Sequence, residues 1–358
     1  MTISYHSGGR LQGTSTDYNS GDGTPAEAGG WKEIGRTTLG SSNATIDVAS
    51  LDDKRYYMVL TDITDSNDWG NVFQRLGNGS YDSGSNYSYR YSANGASGVT
   101  QDCKDTQGTY GDAGETGEKF IVSYLANLDS KEKLSIHNGV GRGTGSGAGN
   151  APNRWESVDK WTNTSNVINQ IQTGMYSSCR TFNSGSEVVV LGWDTDNDTD
   201  NFWEELTSVE LSSAGDQIDS GTITAKKYLW VQLYTKPTGS ANVKVRFNSD
   251  SGDNYSYRLS ENGGSEITAV DNPEISSWIS QTNPHFYNMF IVNNSATEKL
   301  LIGNVVGKGT AGAGNAPNRQ EFVGKWDTTG SQITNITANN SGTGDYDTGS
   351  FIKVWGSN

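Results

Sequence analysis

The octapeptide Gly147-Ala148-Gly149-Asn150-Ala151-Pro152-Asn153-Arg154 returns letter for letter as Gly312-Ala313-Gly314-Asn315-Ala316-Pro317-Asn318-Arg319. Each copy is followed by a Glu two residues after the Arg (Glu156, Glu321) and then by Lys-Trp (Lys160-Trp161, Lys325-Trp326). An irregular run of Gly, Asn, Pro and Arg does not recur through compositional bias. The interval is far longer than the roughly 20–50 residues of a solenoid repeat, so the chain reads as one module used twice in tandem.

The rest of the chain follows the same duplication. Trp31-Lys32-Glu33-Ile34 aligns with Trp203-Glu204-Glu205-Leu206, and Arg55-Tyr56-Tyr57-Met58-Val59-Leu60 with Lys227-Tyr228-Leu229-Trp230-Val231-Gln232. Asn71-Val72-Phe73-Gln74-Arg75-Leu76 aligns with Asn242-Val243-Lys244-Val245-Arg246-Phe247, where period-two alternation puts Val243, Val245 and Phe247 on one face. Asn86-Tyr87-Ser88-Tyr89-Arg90 repeats as Asn254-Tyr255-Ser256-Tyr257-Arg258, and Asn94-Gly95 and Asn262-Gly263 mark tight hairpin turns. Phe120-Ile121-Val122 matches Phe290-Ile291-Val292 by letter, and Lys133-Leu134-Ser135-Ile136 matches Lys299-Leu300-Leu301-Ile302. Trp31 and Trp203 read as module cores, and the alternating Tyr87, Tyr89, Tyr255 and Tyr257 as buried faces.

Each module therefore carries about eight short strands with frequent turn signals, which predicts an all-β fold of two tandem jelly-roll-like β-sandwiches. The composition agrees. Only 32% of residues are hydrophobic, aromatics reach 10% and Gly numbers 45 in 358 residues, a mix suited to short strands and thin, aromatic-filled cores. The expected organisation is an N-terminal arm over residues 1–30, module 1 over 31–193, an acidic linker over 194–202 and module 2 over 203–358. A stretch around Gln101 to Gly117 reads as an insertion in module 1.

Net charge is −15, which opposes nucleic-acid binding and an anionic membrane surface. Apolar runs such as Val188-Val189-Val190-Leu191 are far too short to span a bilayer, and no signal peptide is read at Met1-Thr2-Ile3. Cys103 and Cys179 have no counterpart in module 2, so the fold does not require them as a pair.

Several motifs bear on chemistry. Asn150, Asn153, Arg154 and Trp161, with Asn315, Asn318, Arg319 and Trp326, form a pair of loops. Either they grip a ligand such as a glycan, or they are turns in which Asn satisfies backbone groups and Arg154 pairs with Glu156; retention in both copies favours the turn. Gly307-Lys308-Gly309-Thr310-Ala311-Gly312 matches a dinucleotide fingerprint but runs into Asn-Ala-Pro-Asn with no helix to follow, and is set aside. Asp194, Asp196, Asp198, Asp200 and Glu205 occupy calcium-loop spacing, though Thr199 stands where that loop's sharp turn needs Gly. Calcium in this linker is the one cofactor candidate. His6, His137 and His285 have no partner at metal-ligand spacing, and no nucleophile elbow or zinc-protease motif is present, so no enzyme is expected. The 41 acidic residues offer many carboxylate pairs, and none stands out by sequence.

The end of each module has a further pattern. Paired Ile residues precede Phe182-Asn183-Ser184-Gly185-Ser186 or Tyr346-Asp347-Thr348-Gly349-Ser350, then an apolar strand ending in Val354-Trp355-Gly356 in the second copy. With Ala-Pro-Asn-Arg and Lys-Trp, this resembles virion structural proteins of tailed bacteriophages, marine phages especially. That resemblance implies a non-catalytic, β-rich protein on the particle exterior, as head decoration or tail fibre. It also implies other virion proteins as partners, the major capsid protein among them, a homo-oligomer with a trimer favoured, and synthesis in the host bacterial cytoplasm. A carbohydrate-binding role toward host surface glycans is the alternative.

Overall fold

The computed structural model describes residues 30–64, 71–96, 98–111, 117–176, 180–193, 201–276, 282–310 and 312–358. Residues 1–29 of the N-terminal arm, with His6, Asp194 to Asp200 of the acidic linker and Cys179 lie outside the described residues, as does the side chain of Cys103. Among the described residues the secondary structure is entirely β.

Module 1 contains β1 (Lys32–Thr38), β2 (Thr45–Val48), β3 (Tyr56–Ile63), β4 (Val72–Gly77), β5 (Tyr87–Ala93), β6 (Val99–Asp105), β7 (Gly108–Gly111), β8 (Lys119–Ala126), β9 (Lys133–Gly141), β10 (Asn153–Trp161), β11 (Gln170–Met175) and β12 (Glu187–Trp193). Module 2 repeats them as β13 (Glu204–Glu210), β14 (Gln217–Asp219), β15 (Tyr228–Thr235), β16 (Val243–Phe247), β17 (Tyr255–Glu261), β18 (Ile267–Asn272), β19 (Ile275–Ser276), β20 (His285–Val292), β21 (Lys299–Gly307), β22 (Asn318–Trp326), β23 (Ile336–Asn340) and β24 (Phe351–Ser357). Each module is an eight-stranded sheet packed on a four-stranded one, in the orders β1-β12-β3-β8-β9-β10-β5-β6 over β2-β11-β4-β7 and β13-β24-β15-β20-β21-β22-β17-β18 over β14-β23-β16-β19. Early strands pair antiparallel with late ones, β1 with β12, β2 with β11 and β5 with β10, which is jelly-roll winding. The fold is two tandem jelly-roll-like β-sandwiches related by internal duplication.

Twelve strands per module replace the eight expected. The extra ones are short edge pieces, such as β2, β7, β14 and β19 at two to four residues, so they show no long apolar alternation. The stretch read as an insertion contains the end of β6 and all of β7, the counterparts of β18 and β19. One alignment also shifts. β3 sets Met58 against Tyr124 and β15 sets Trp230 against Phe290, so Tyr124-Leu125-Ala126-Asn127, not Phe120-Ile121-Val122, corresponds to Phe290-Ile291-Val292-Asn293. Asn127 and Asn293 confirm it: their Oδ1 atoms accept from Ile168 N at 2.7 Å and Ile333 N at 2.6 Å. Letter matching failed here because β20 carries two outward Phe residues four apart, Phe286 and Phe290, and the true counterpart of Phe120 is Phe286.

Inside each sandwich the expected faces are buried. Val243, Val245 and Phe247 line the module 2 core with Tyr255, Tyr257 and Trp326, and Tyr87 and Trp161 serve in module 1, whereas Tyr89 is only half-buried. Both hairpin turns hold Asn and Gly at positive φ, 48° and 70° at Asn94-Gly95 and 52° and 73° at Asn262-Gly263, as a type I′ turn requires.

A second repeated device anchors the Lys-Trp pairs. Asp82 receives Trp161 Nε1 (2.7 Å), Asn86 Nδ2 and Gly84 N; Asp250 receives Trp326 Nε1 (2.8 Å), Asn254 Nδ2 and Gly252 N. Despite partial burial, these donors hold both carboxyls below their ordinary range. The carboxylate thus ties a loop to a large core indole that would otherwise carry an unpaired donor.

Asp250→Ala strips three donors of their acceptor, one of them the Trp326 indole. It is expected to lower stability by about 2 kcal/mol, read as a lower urea midpoint at unchanged m-value. In the same module, burial depresses His285 from 6.5 to about 4. The unfolded chain then binds a proton below pH 6.5 that the fold refuses. Stability should fall between pH 6.5 and 4 by an amount of order 3 kcal/mol, and His285→Leu should abolish that slope in urea titrations across this range.

Candidate interaction site

The two modules pack through the outer faces of their large sheets. Met58, Leu60, Phe120, Val122, Val140, Val189 and Leu191 of module 1 meet Tyr228, Phe290, Val292, Leu300, Ile302 and Val323 of module 2 in a third core. Trp203 is fully buried there with Phe202, edge-on at 5.0 Å, and with Trp230 and Trp355 beside it. Trp31 packs at the margin of the same cluster. Trp31 and Trp203 therefore belong to the junction and not to the module interiors, because each precedes its first strand and lies over an outer sheet face.

The packing is staggered. Strand register makes Ile136 equivalent to Ile302 and Val158 to Val323. Ile302 and Val323 are 5% and 1% exposed in the junction, while Ile136 and Val158 are 54% and 48% exposed. At the other end of the same strand the asymmetry reverses: Val140 is fully buried and its equivalent Val306 is 46% exposed. One end of module 1's face thus covers the opposite end of module 2's face.

The octapeptide loop closes one end of this contact. In module 1 it lies on module 2. Glu298 Oε1 accepts from Gly147 N, Asp327 Oδ2 accepts from Ala148 N at 3.0 Å, and Asp271 N donates to Ala148 O at 3.0 Å. Ser256 Oγ donates to Asn150 O and Arg258 Nε to Pro152 O, at 2.9 and 2.8 Å. Lys325 Nζ, wholly buried, donates to Arg142 O and Gly145 O. Arg154 is clamped between Glu156 of its own strand and Glu266 of module 2. In module 2 the identical loop is exposed from Gly312 to Pro317, and Arg319 pairs only across its own strand with Glu321, its side chain 65% exposed.

Within each loop the side chains satisfy the chain itself. Asn150 is held by Ser146 O and Thr144, and Asn153 by the Asn94 side chain, which also accepts from Arg154 N. Asn318, Asn262 and Arg319 repeat that arrangement. Gly147 and Gly312 share positive φ, 83° and 96°. Trp161 and Trp326 are 2% exposed, stacked on Tyr87 and Tyr255, so neither indole offers a platform to a sugar ring. The turn reading accounts for these residues, and the loop's outer backbone provides the docking groups. Sequence reasoning missed the loop's partners, the acceptor Glu298 and the donors Lys325, Ser256 and Arg258. Their signal was repetition: Lys160 reads as a marker of the duplication and Ser88 and Arg90 as strand pattern, while Glu132 is not singled out.

A buried ionic cluster holds the far edge of the junction. Glu187 accepts from Arg36 (3.0 Å), Lys227 (3.1 Å), Tyr228 OH (2.8 Å) and Thr38. Burial works against its charge, but Thr38, Lys227 and Arg36 prevail and hold it below its ordinary 4.5. Asp62 also meets Lys227, at 3.0 Å, yet burial pushes its carboxyl up.

Other chemistry is enclosed or dispersed. Ser123 Oγ lies 2.7 Å from His137 Nδ1, and His137 Nε2 lies 3.5 Å from Asp159, but all three are buried between the sheets, with Tyr110 edge-on to the imidazole. Module 2 has Met289, Gly303 and Gly324 at these positions. A crevice between β9–β10 and β21–β22 holds about 10 Å³, room for about one water molecule. Glu205 of the acidic spacing sits on β13, with Lys353 Nζ at 4.0 Å, and its four Asp companions lie outside the described residues. Among the described residues no group of three or more His, Cys, Asp or Glu is placed to hold a metal.

No family model matches this chain, and no curated protein matches it. Solved structures to which it is similar include domains LG4-5 of the mouse laminin alpha1 chain, at 13% identity over 93% of this chain and 90% of that one, with a TM-score of 0.19. The LG1-3 region of the laminin alpha2 chain aligns at 8% identity over 88% of this chain and 64% of that one, with a TM-score of 0.22. Such TM-scores fall well short of a superposable fold, and the architecture above rests on this chain's own strand pairing.

Glu187→Ala leaves Lys227, Arg36 and Tyr228 without their shared acceptor at the junction. It is expected to cost about 3–5 kcal/mol and to separate unfolding into two transitions by calorimetry. Because its folded value is depressed, Glu187 stabilises above pH 4.5 and that contribution is lost as pH falls through the folded value. Asp62 titrates in the opposite sense, so Glu187→Gln should remove the acid loss of the junction that the wild type shows.

Proposed function

We propose that this chain is a non-enzymatic structural protein of a bacteriophage particle exterior, a head-surface decoration protein that assembles through protein–protein contacts. The observation that carries this reading is the double use of one loop. The first copy serves as an adhesive element between sandwiches, its backbone consumed by Glu298, Asp327, Ser256 and Arg258. The second presents the same backbone outward. A chain that retains an adhesive loop on its surface is suited to assembly.

The chemistry elsewhere supports the same reading. The Ser123-His137-Asp159 relay is sealed between sheets, so no substrate reaches it. A compact double sandwich without a long fibrous repeat suits a capsid surface better than a fibre shaft. The strongly acidic surface keeps such a protein soluble in the host bacterial cytoplasm until it meets the capsid. The sequence resemblance to tailed-phage virion proteins supplies the particle itself.

Immunogold electron microscopy with antibody to this chain should decorate the heads of intact particles from the source lysate. Label on tail fibres alone would move the protein to the fibre. Unlabelled particles that also lack its peptides by mass spectrometry would sink the reading.

A further inference from the structure

The junction inside the chain is one occurrence of a contact whose two halves both remain available at its ends. We propose that the chain binds a second copy of itself through this same contact: the free loop of module 2 and its flanking face dock on the free face of module 1 of the neighbouring molecule. The inference rests on reading the chain as an assembly protein, and names the partner.

The acceptor face is retained in module 1. Leu134, Ile136 and Val158 stand where module 2 has Leu300, Ile302 and Val323, and are 56%, 54% and 48% exposed against 0%, 5% and 1%. Three adjacent large aliphatic side chains in water on one sheet face are what a covered interface would bury. The polar docking groups are retained with them. Ser88 and Arg90 stand for Ser256 and Arg258, opposite Lys160 and Val158 as those stand opposite Lys325 and Val323. Glu132 and Lys160 form a half-exposed pair at 3.4 Å; their counterparts Glu298 and Lys325 form a buried pair at 3.7 Å that receives the loop.

The docking element is retained in module 2. Its loop is identical in sequence, shares the positive-φ glycine, and is fixed by the same Asn262–Arg319 backbone exchange that fixes the first copy. It is thus preformed, so docking loses little conformational freedom. Val306, 46% exposed, stands where Val140 is buried in the junction.

Five replacements set the strength. Thr162 replaces Asp327 and Gly98 replaces Glu266, which removes one acceptor for the loop and the cross-module partner of the Arg. Gln232, Asn288 and Lys353 also replace Leu60, Val122 and Val189 on the module 2 side. The contact between copies is therefore weaker than the one within the chain, where covalent linkage raises effective concentration as well. Because the halves differ, the contact is heterologous: repeated, it closes into a ring if the rotation permits, or continues as a filament.

The test uses the full chain and two exposed substitutions, Ile136→Lys on the acceptor face and Ala313→Asp in the free loop, where the equivalent Ala148 is buried against module 2. Sedimentation velocity over a concentration series should show the wild type associating. Each variant alone should associate at least about tenfold more weakly, with unchanged thermal unfolding. Mixed together, the variants should form a 1:1 dimer and nothing larger, since each supplies the half the other lacks. A monomeric wild type, an oligomer indifferent to both substitutions, or a mixture that stays monomeric overturns the proposal. None of these outcomes bears on immunogold labelling of particles, so the placement on the virion stands or falls separately.

Discussion

The structure depends on the closure of two large sheets against each other through their outer faces. A sandwich needs only one apolar face per sheet, and each module has that in its own core. Here the large sheets are apolar on both faces along part of their length, with Phe120, Val122 and Leu60 outward on one side and Phe290, Val292 and Leu300 outward on the other. Left in water these strips would oppose solubility. Covered by each other, they turn two small domains into one three-core body whose middle layer is made of both.

The stagger of that closure explains the unequal fate of equal sequences. Had the modules met about a two-fold axis, both loops would be docked and both faces covered. Offset instead, the contact uses one end of each face. The buried Val140 and exposed Val306, and the exposed Ile136 and buried Ile302, are its signature. The ionic cluster around Glu187 has no copy elsewhere because Glu187 and Asp62 are replaced in module 2 by Phe351 and Tyr234. Identity is kept in the loop and in its partners Glu298, Lys325, Ser256 and Arg258, while Asp327, Glu266 and the far edge diverge.

Polar groups in this junction specify geometry more than they add stability. Lys325, Glu298, Glu187 and Asp62 are each almost fully removed from water, and burial opposes the charge of every one of them. What they gain is register: main-chain carbonyls of residues 142 and 145 and the amides of 147 and 148 meet fixed partners, so the sheets cannot slide. Module 1 spends a second set of buried polar groups, Ser123, His137 and Asp159, where module 2 packs Met289 and two glycines. The fold tolerates both solutions, so the trio is a local packing choice and not a requirement of the jelly roll.

The sequence by itself determined the duplication, the all-β class and the inward faces, because exact recurrence and period-two alternation are local properties of a strand. It also held the turn chemistry of Asn94-Gly95 and Asn262-Gly263 and the self-satisfying role of Asn153 and Asn318. It could not decide strand count, since strands such as β7 and β19, four and two residues long, are too short to show an alternation. Nor could it align β8 with β20, where outward Phe286 and Phe290 lie four residues apart and either can be matched by letter to Phe120. Above all, identical letters carry no information on which copy is covered. Whether Gly147 or Gly312 finds Glu298 depends on the stagger between sheets, a property of two surfaces meeting in space, and only the tertiary structure decided it.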